Sequence, residues 1–172
     1  MMTSFFFSGS TETKIDEKNR FVLPQQMRYG LVENGELEFY MALGLGGSVS
    51  IYRKSDMDKI VEAFKKKQHV AKYQKFMTLF FSTLHKLSCD KLGRVVMPLP
   101  LKKIASIENE IVVCGVLNKI EIWPANKFKE KFEDENFTKM AEETFALLDE
   151  GEPEKAPLAS LTEEEKVEYQ EL

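Results

Sequence analysis

At 172 residues, with 43% apolar and 11% aromatic side chains, the chain has the composition of a folded protein able to bury a real core. No apolar stretch approaches the ~20 residues needed to span a bilayer, and Met1–Phe7 lacks the basic region and long apolar segment of a signal peptide. The net charge of −4 is an average of a basic body, residues 1–132 at +7, and an acidic tail, residues 133–172 at −11, so overall acidity does not exclude a nucleic-acid partner.

Phe5–Phe7 reads as a buried first strand. Thr11–Ile15 is β-branched and reads as a strand, Asp16–Asn19 as its turn and Arg20–Leu23 as the returning strand. Pro24 suits the first turn of a short helix with Met27 and Leu31 inward, which Gly30 weakens or ends. Leu37–Leu43 and Val49–Tyr52 form a strand pair closed by the glycine-rich 44–47 loop. Ser55 is an N-cap candidate for an amphipathic helix carrying Met57, Ile60, Val61 and Phe64 to about Lys67. Val70, Tyr73, Phe76 and Met77 make a second helical stripe.

The plan then returns. Phe80–Cys89 reads as a strand region, Asp90–Gly93 as the turn and Arg94–Met97 as the return. Pro98 starts a helix with Leu101, Ile104 and Ala105. Ile111–Val116 and Ile120–Trp123 form the second strand pair, and Phe128 and Phe132 mark a closing helix. Phe137, Met140, Ala141, Phe145 and Leu148 are helically spaced. Residues 153–172 read as a flexible acidic tail with a weak helix near Thr162–Tyr169.

This return is an internal repeat. Between residues 6 and 28, seven of 23 positions are identical at an offset of 74, among them Asp16/Asp90, Arg20/Arg94, Val22/Val96 and Pro24/Pro98. A repeat implies two structural units, each seeking a partner. The corresponding domains are 5–67 and 80–132 as the two repeats, 68–79 as a connecting helix, 133–152 as a C-terminal helix and 153–172 as the tail.

The repeated Asp-x-x-[Gly/Asn]-Arg has a chemical reading. Glycine at the fourth place supplies positive φ for a tight return, and asparagine is among the residues that best tolerate it. An Asp at the first place can accept the turn's own amides and hold the guanidinium four places on. The plain alternative is a staple for the turn, which one copy alone would favour; two copies shift the balance toward a displayed cation. Lys14, Lys18, Arg20 and Arg28 surround one tip, and Lys86, Lys91, Arg94, Lys102 and Lys103 the other. A paired basic tip can bridge phosphates and reach base edges.

Other chemistry is weakly signalled. His69 and His85 lack ligand partners at metal spacing. The 44–47 loop lacks the Gly-Lys-Ser/Thr of a phosphate loop, and no nucleophile context stands out. Trp123 reads as core, and Cys89 and Cys114 as buried free thiols. Neither an enzyme, a metal or cofactor, a small-molecule substrate nor a membrane partner is expected.

The two Asp-x-x-x-Arg turns with their apolar run and proline, the Phe80-Phe81-Ser82 lead-in and the segment Gly115-Val116-Leu117-Asn118-Lys119-Ile120-Glu121-Ile122-Trp123 together resemble the MraZ family of bacterial transcription regulators, over roughly residues 5–132. The resemblance implies an α+β, swapped-hairpin AbrB-like double barrel built from two repeats. It also implies a ring-shaped homo-oligomer and binding to double-stranded DNA at short promoter direct repeats. The outcome would be repression of the protein's own division and cell-wall gene cluster, in a cytoplasmic, nucleoid-associated protein. The DNA-contacting turns carry over onto Asp16 and Arg20 and onto Asp90 and Arg94; Lys18 and Lys91 flank them. Asn19, where the family usually has glycine, and the acidic extension both depart from the pattern. An AbrB-type antitoxin or a scaffold protein, its acidic tail binding a protein partner, is the alternative.

Overall fold

The structure is a computed structural model that describes residues 5–133 and 136–150; the expectations for residues 153–172 lie outside them. The fold is α+β with antiparallel sheets. Contacts divide the chain into two units, the first ending at Lys131 and the second starting at Phe132.

In the first unit, strand β1 (Ser10–Lys14) leads through the first turn to β2 (Arg20–Val22) and helix α1 (Gln25–Leu31). Pro24 sits at the N-cap, where its missing N–H is no loss, and its carbonyl accepts from the amides of Met27 and Arg28 at 3.0 Å. Then come β3 (Val32–Glu33), β4 (Glu36–Leu43) and β5 (Val49–Arg53). Asn34 and Gly35, both at positive φ, close the β3–β4 hairpin; this Asn-Gly pair is a strong hairpin signal that the sequence reading passed over. Two helices follow, α2 (Lys54–Lys65) and α3 (Gln74–Ser82). Next are β6 (His85–Ser88), β7 (Arg94–Val96), α4 (Leu99–Ile104), β8 (Glu110–Val116), β9 (Lys119–Pro124) and α5 (Ala125–Phe132).

The larger sheet runs β1-β8-β9-β5-β4-β3, with β6 also paired to β4; β2 and β7 form a separate two-stranded ribbon. Four pairings, β1·β8, β2·β7, β4·β6 and β5·β9, each join a strand before residue 67 to one after residue 80. The barrel expectation needs correcting: among the described residues the strands form an open sheet and a ribbon. The ribbon strands are three residues long because each runs into a proline, Pro24 or Pro98, which has no N–H to extend the ladder.

Alternation along β4 separates two apolar clusters. Phe39 and Met41 join the main core with Phe21, Leu23, Met27, Leu31, Val95, Met97, Leu101, Val113 and Ile122. Tyr40 and Ala42 point the other way, to Met57 of α2 and Phe80 of α3. The ribbon therefore lies over the main core, with α2 and α3 on the sheet's opposite face.

Three local expectations are corrected. Phe5–Phe7 is not a strand; Phe7 alone is buried and makes an isolated bridge to Leu117, whereas Phe5 and Phe6 are exposed. Phe80–Ser82 is the end of α3, not strand, because Phe80 is needed against Met57 and Phe64. Helix α2 begins one residue before Ser55, and its first turn is capped by Glu33, whose Oε1 accepts the Ser55 amide at 3.0 Å.

In the second unit, α6 (Phe137–Glu150) is the helix that the apolar spacing predicts, and Phe137, Met140, Phe145 and Leu148 are exposed on it. No helix among the described residues is long and apolar enough to cross a membrane.

Candidate nucleic-acid interface

The two turns are built alike. In the first, the Asn19 amide donates to the Asp16 carbonyl at 3.0 Å and the Asp16 amide to the Arg20 carbonyl at 2.8 Å. In the second, Gly93 donates to Asp90 at 3.0 Å and Asp90 to Arg94 at 3.0 Å. The fourth residue takes the left-handed conformation in both, with φ 60° at Asn19 and 77° at Gly93. Asparagine thus reproduces the glycine geometry, and the departure at residue 19 leaves the turn intact.

Each aspartate divides its labour between its oxygens. Oδ1 of Asp16 accepts the amides of Lys18 and Arg20, both at 2.9 Å, and Oδ2 accepts Nε of Arg20 at 2.8 Å. Oδ1 of Asp90 accepts the amides of Leu92 at 2.9 Å and Arg94 at 2.8 Å, and Oδ2 accepts Nε of Arg94 at 2.7 Å. The backbone N–H of the arginine, above all, holds each carboxyl below the usual aspartate range, and the guanidinium adds to it. The staple is therefore present in both turns. Each arginine is locked through Nε, while Nη1 makes no hydrogen bond among the described residues.

The ribbon brings the two arginines together. Arg20 stands opposite Val96, Phe21 opposite Val95 and Val22 opposite Arg94. Phe21 and Val95 are buried, so Arg20, Val22, Arg94 and Val96 share the other face. Arg20 and Arg94 are diagonal neighbours there, a relation that puts side-chain origins about 7–8 Å apart. Their side chains are 25% and 31% exposed, which places them on the surface yet held. Val22 and Val96, both exposed, complete this face. Sequence reasoning missed them, although their alternation with buried Phe21 and Val95 is a period-2 signal.

The flanking cations differ in their commitments. Lys18 and Lys91 are exposed at the turn tips. Lys14 pairs across the sheet with Glu110 at 3.8 Å. Lys86 lies 3.1 Å from Glu38, and that hydrogen bond raises its pKa; Glu38 also holds Lys54 at 3.6 Å. Arg28 of α1 lies against Gly93, and Nζ of Lys102 on α4 donates to Oδ1 of Asn19 at 2.8 Å. Lys103 is exposed on α4.

Cys89 and Cys114 are free and half-buried, and desolvation pushes each thiol up to about 11. Nδ1 of His85 is 2.7 Å from the Thr83 carbonyl, and Trp123 is buried, with Nε1 donating to Oε2 of Glu121 at 2.8 Å. Among the described residues no group of histidine, cysteine and carboxylate side chains could hold a metal.

Two guanidinium groups and two valines on one side of a two-stranded ribbon form a surface that a nucleic-acid groove can accept: a ribbon of this width fits the major groove of B-form DNA. Residues 80–148 match the sequence model of a family described as "MraZ protein, putative antitoxin-like".

Proposed function

From the chain's membership of the MraZ family, which the match over residues 80–148 carries, we propose that it is a sequence-specific DNA-binding transcriptional regulator. The observation that supports this best is the β2·β7 register, which sets Arg20 and Arg94 on one exposed face. Asp16 and Asp90 pre-orient the arginines, so little side-chain freedom is lost on docking. The outward guanidinium edges read guanine, Val22 and Val96 meet apolar base edges, and Lys18 and Lys91 engage phosphates. We read the exchanged pairings as the swapped-hairpin, AbrB-like arrangement of two fused halves.

One arginine pair is a small footprint. A ring-shaped homo-oligomer repeats it at fixed spacing, so direct repeats in the promoter of the protein's own division and cell-wall cluster engage successive protomers, and avidity supplies the affinity. Repression follows where these repeats overlap the promoter. Titration against duplexes carrying one box or several tests this. Several boxes should bind more tightly by about a hundredfold or more; equal affinity removes the ring from the mechanism, and no affinity for any box removes the regulator.

The family description also favours a second reading, an antitoxin whose acidic C-terminal segment, net −11 over residues 133–172, binds a basic protein partner. A chain ending at residue 133 separates the two. A regulator keeps its DNA affinity, whereas an antitoxin loses its partner.

A further inference from the structure

The cations Arg28 and Lys102 occupy equivalent places 74 residues apart, and each reaches the turn of the opposite half. A Cβ built on Gly93 would overlap the terminal nitrogen and central carbon of the Arg28 guanidinium. The Arg28 side chain therefore rests where only glycine leaves room. At the other turn, the longer Asn19 meets a shorter partner, and its Oδ1 accepts from Nζ of Lys102 at 2.8 Å. Backbone bonds cross in the same sense. The Leu23 amide donates to the Gly93 carbonyl at 3.0 Å, and the Met97 amide to the Asn19 carbonyl at 2.7 Å.

We propose that Arg28 and Lys102 are positioning residues, a reciprocal brace in which each half's helix fixes the turn that presents the other half's arginine. The pairs are matched by size, arginine with glycine and lysine with asparagine. Burial argues against a phosphate-binding role for Arg28, whose Nε is sealed from solvent without a hydrogen-bond partner. That nitrogen has given up its water, so the half-buried Arg28 side chain is held along the turn rather than free in solvent. The brace acts one residue before the functional guanidinium in each turn. Its loss therefore lets Arg20 and Arg94 drift relative to each other while both remain bound to their aspartates. Its effect on DNA rests on the regulatory reading above; its effect on the turns does not.

The test exchanges the pairs in the full-length protein. Gly93→Asn should keep the fold, since Asn19 holds the same conformation, but it displaces Arg28. Asn19→Gly strips Lys102 of its partner. Each single variant should weaken binding to box-containing duplex by about tenfold, and Gly93→Asn with Arg28→Lys, or Asn19→Gly with Lys102→Arg, should recover most of it. The slope of log affinity against log salt should stay at its wild-type value in the restored pairs, because no phosphate contact has been removed. Amide exchange at Leu23 and Met97 reads the brace without DNA: faster in the single variants, slow again in the restored pairs. If singles and pairs behave alike in exchange, the brace is overturned. A wild-type chain that binds no box DNA sinks the regulatory reading instead, and the exchange data still decide the brace. If Gly93→Asn fails to fold, the Asn19 and Lys102 half of the cycle decides alone.

Discussion

Phe21 and Val95 stand directly opposite each other at the middle of the β2·β7 ribbon, both withdrawn from solvent. Neighbours of an inward residue on a strand point outward, so this single contact sets the direction of Arg20, Val22, Arg94 and Val96. The apolar core thereby aims the charged face.

Phe21→Ala should therefore cost about 3–5 kcal/mol, as large-to-small changes of buried aromatics do. It should also abolish DNA binding, although Phe21 lies on the ribbon's inner side. Urea unfolding read by circular dichroism gives the first quantity, and duplex titration on the folded fraction gives the second.

Arg20→Ala and Arg94→Ala should behave in the opposite way. Each removes a surface ion pair, whose contribution to stability is small, so the melting temperature should hardly move. Under the proposed function, loss of one guanidinium should cost about 1–3 kcal/mol of binding. Variants that melt much earlier would show that the arginines serve mainly as turn staples.

The aspartates predict a pH dependence. Their folded pKa values lie below the ordinary 3.8, so the carboxylates stabilise the turns fully above that value. The contribution is lost as pH falls through the lower, folded values. Turn geometry and DNA affinity should thus show no titration from Asp16 or Asp90 between about pH 5 and 8. Carboxyl-carbon chemical shifts should place both midpoints below 3.8, and a midpoint above it would contradict the hydrogen-bonding scheme.

Salt dependence should sort the lysines. Lys18→Ala and Lys91→Ala should each reduce the slope of log affinity against log salt by about one, the signature of a lost phosphate contact. Lys86→Ala should leave it unchanged, since that ammonium is held by Glu38. A fall in slope for Lys86→Ala would move the interface toward β6.

Much of the site was legible in the sequence because it closes locally. Asp16 bonds to groups two and four residues away, and Asp90 does the same. Short-range chemistry of this kind survives in any tertiary setting that leaves the turn exposed. The contacts of Arg28 and Lys102 were not legible. Sequence placed them among the basic surroundings of the tips, and only contacts across the ribbon reveal what they touch. The tripeptide Phe-Phe-Ser marks the same limit. It carries the isolated Phe7 bridge at residues 6–8 and ends a helix at residues 80–82, because burial against different neighbours overrides local preference.

The sequence by itself determined the turns, most strands and helices, and the alternation that sends Phe21 and Val95 inward, since these depend on hydrogen bonds and periodicity within a few residues. Tertiary structure decided that β2 pairs with β7 in a register placing two arginines diagonally on one face, and that the sheet stays open. Pairing across some 74 residues is chosen by which faces can be buried together, and no local pattern encodes that choice.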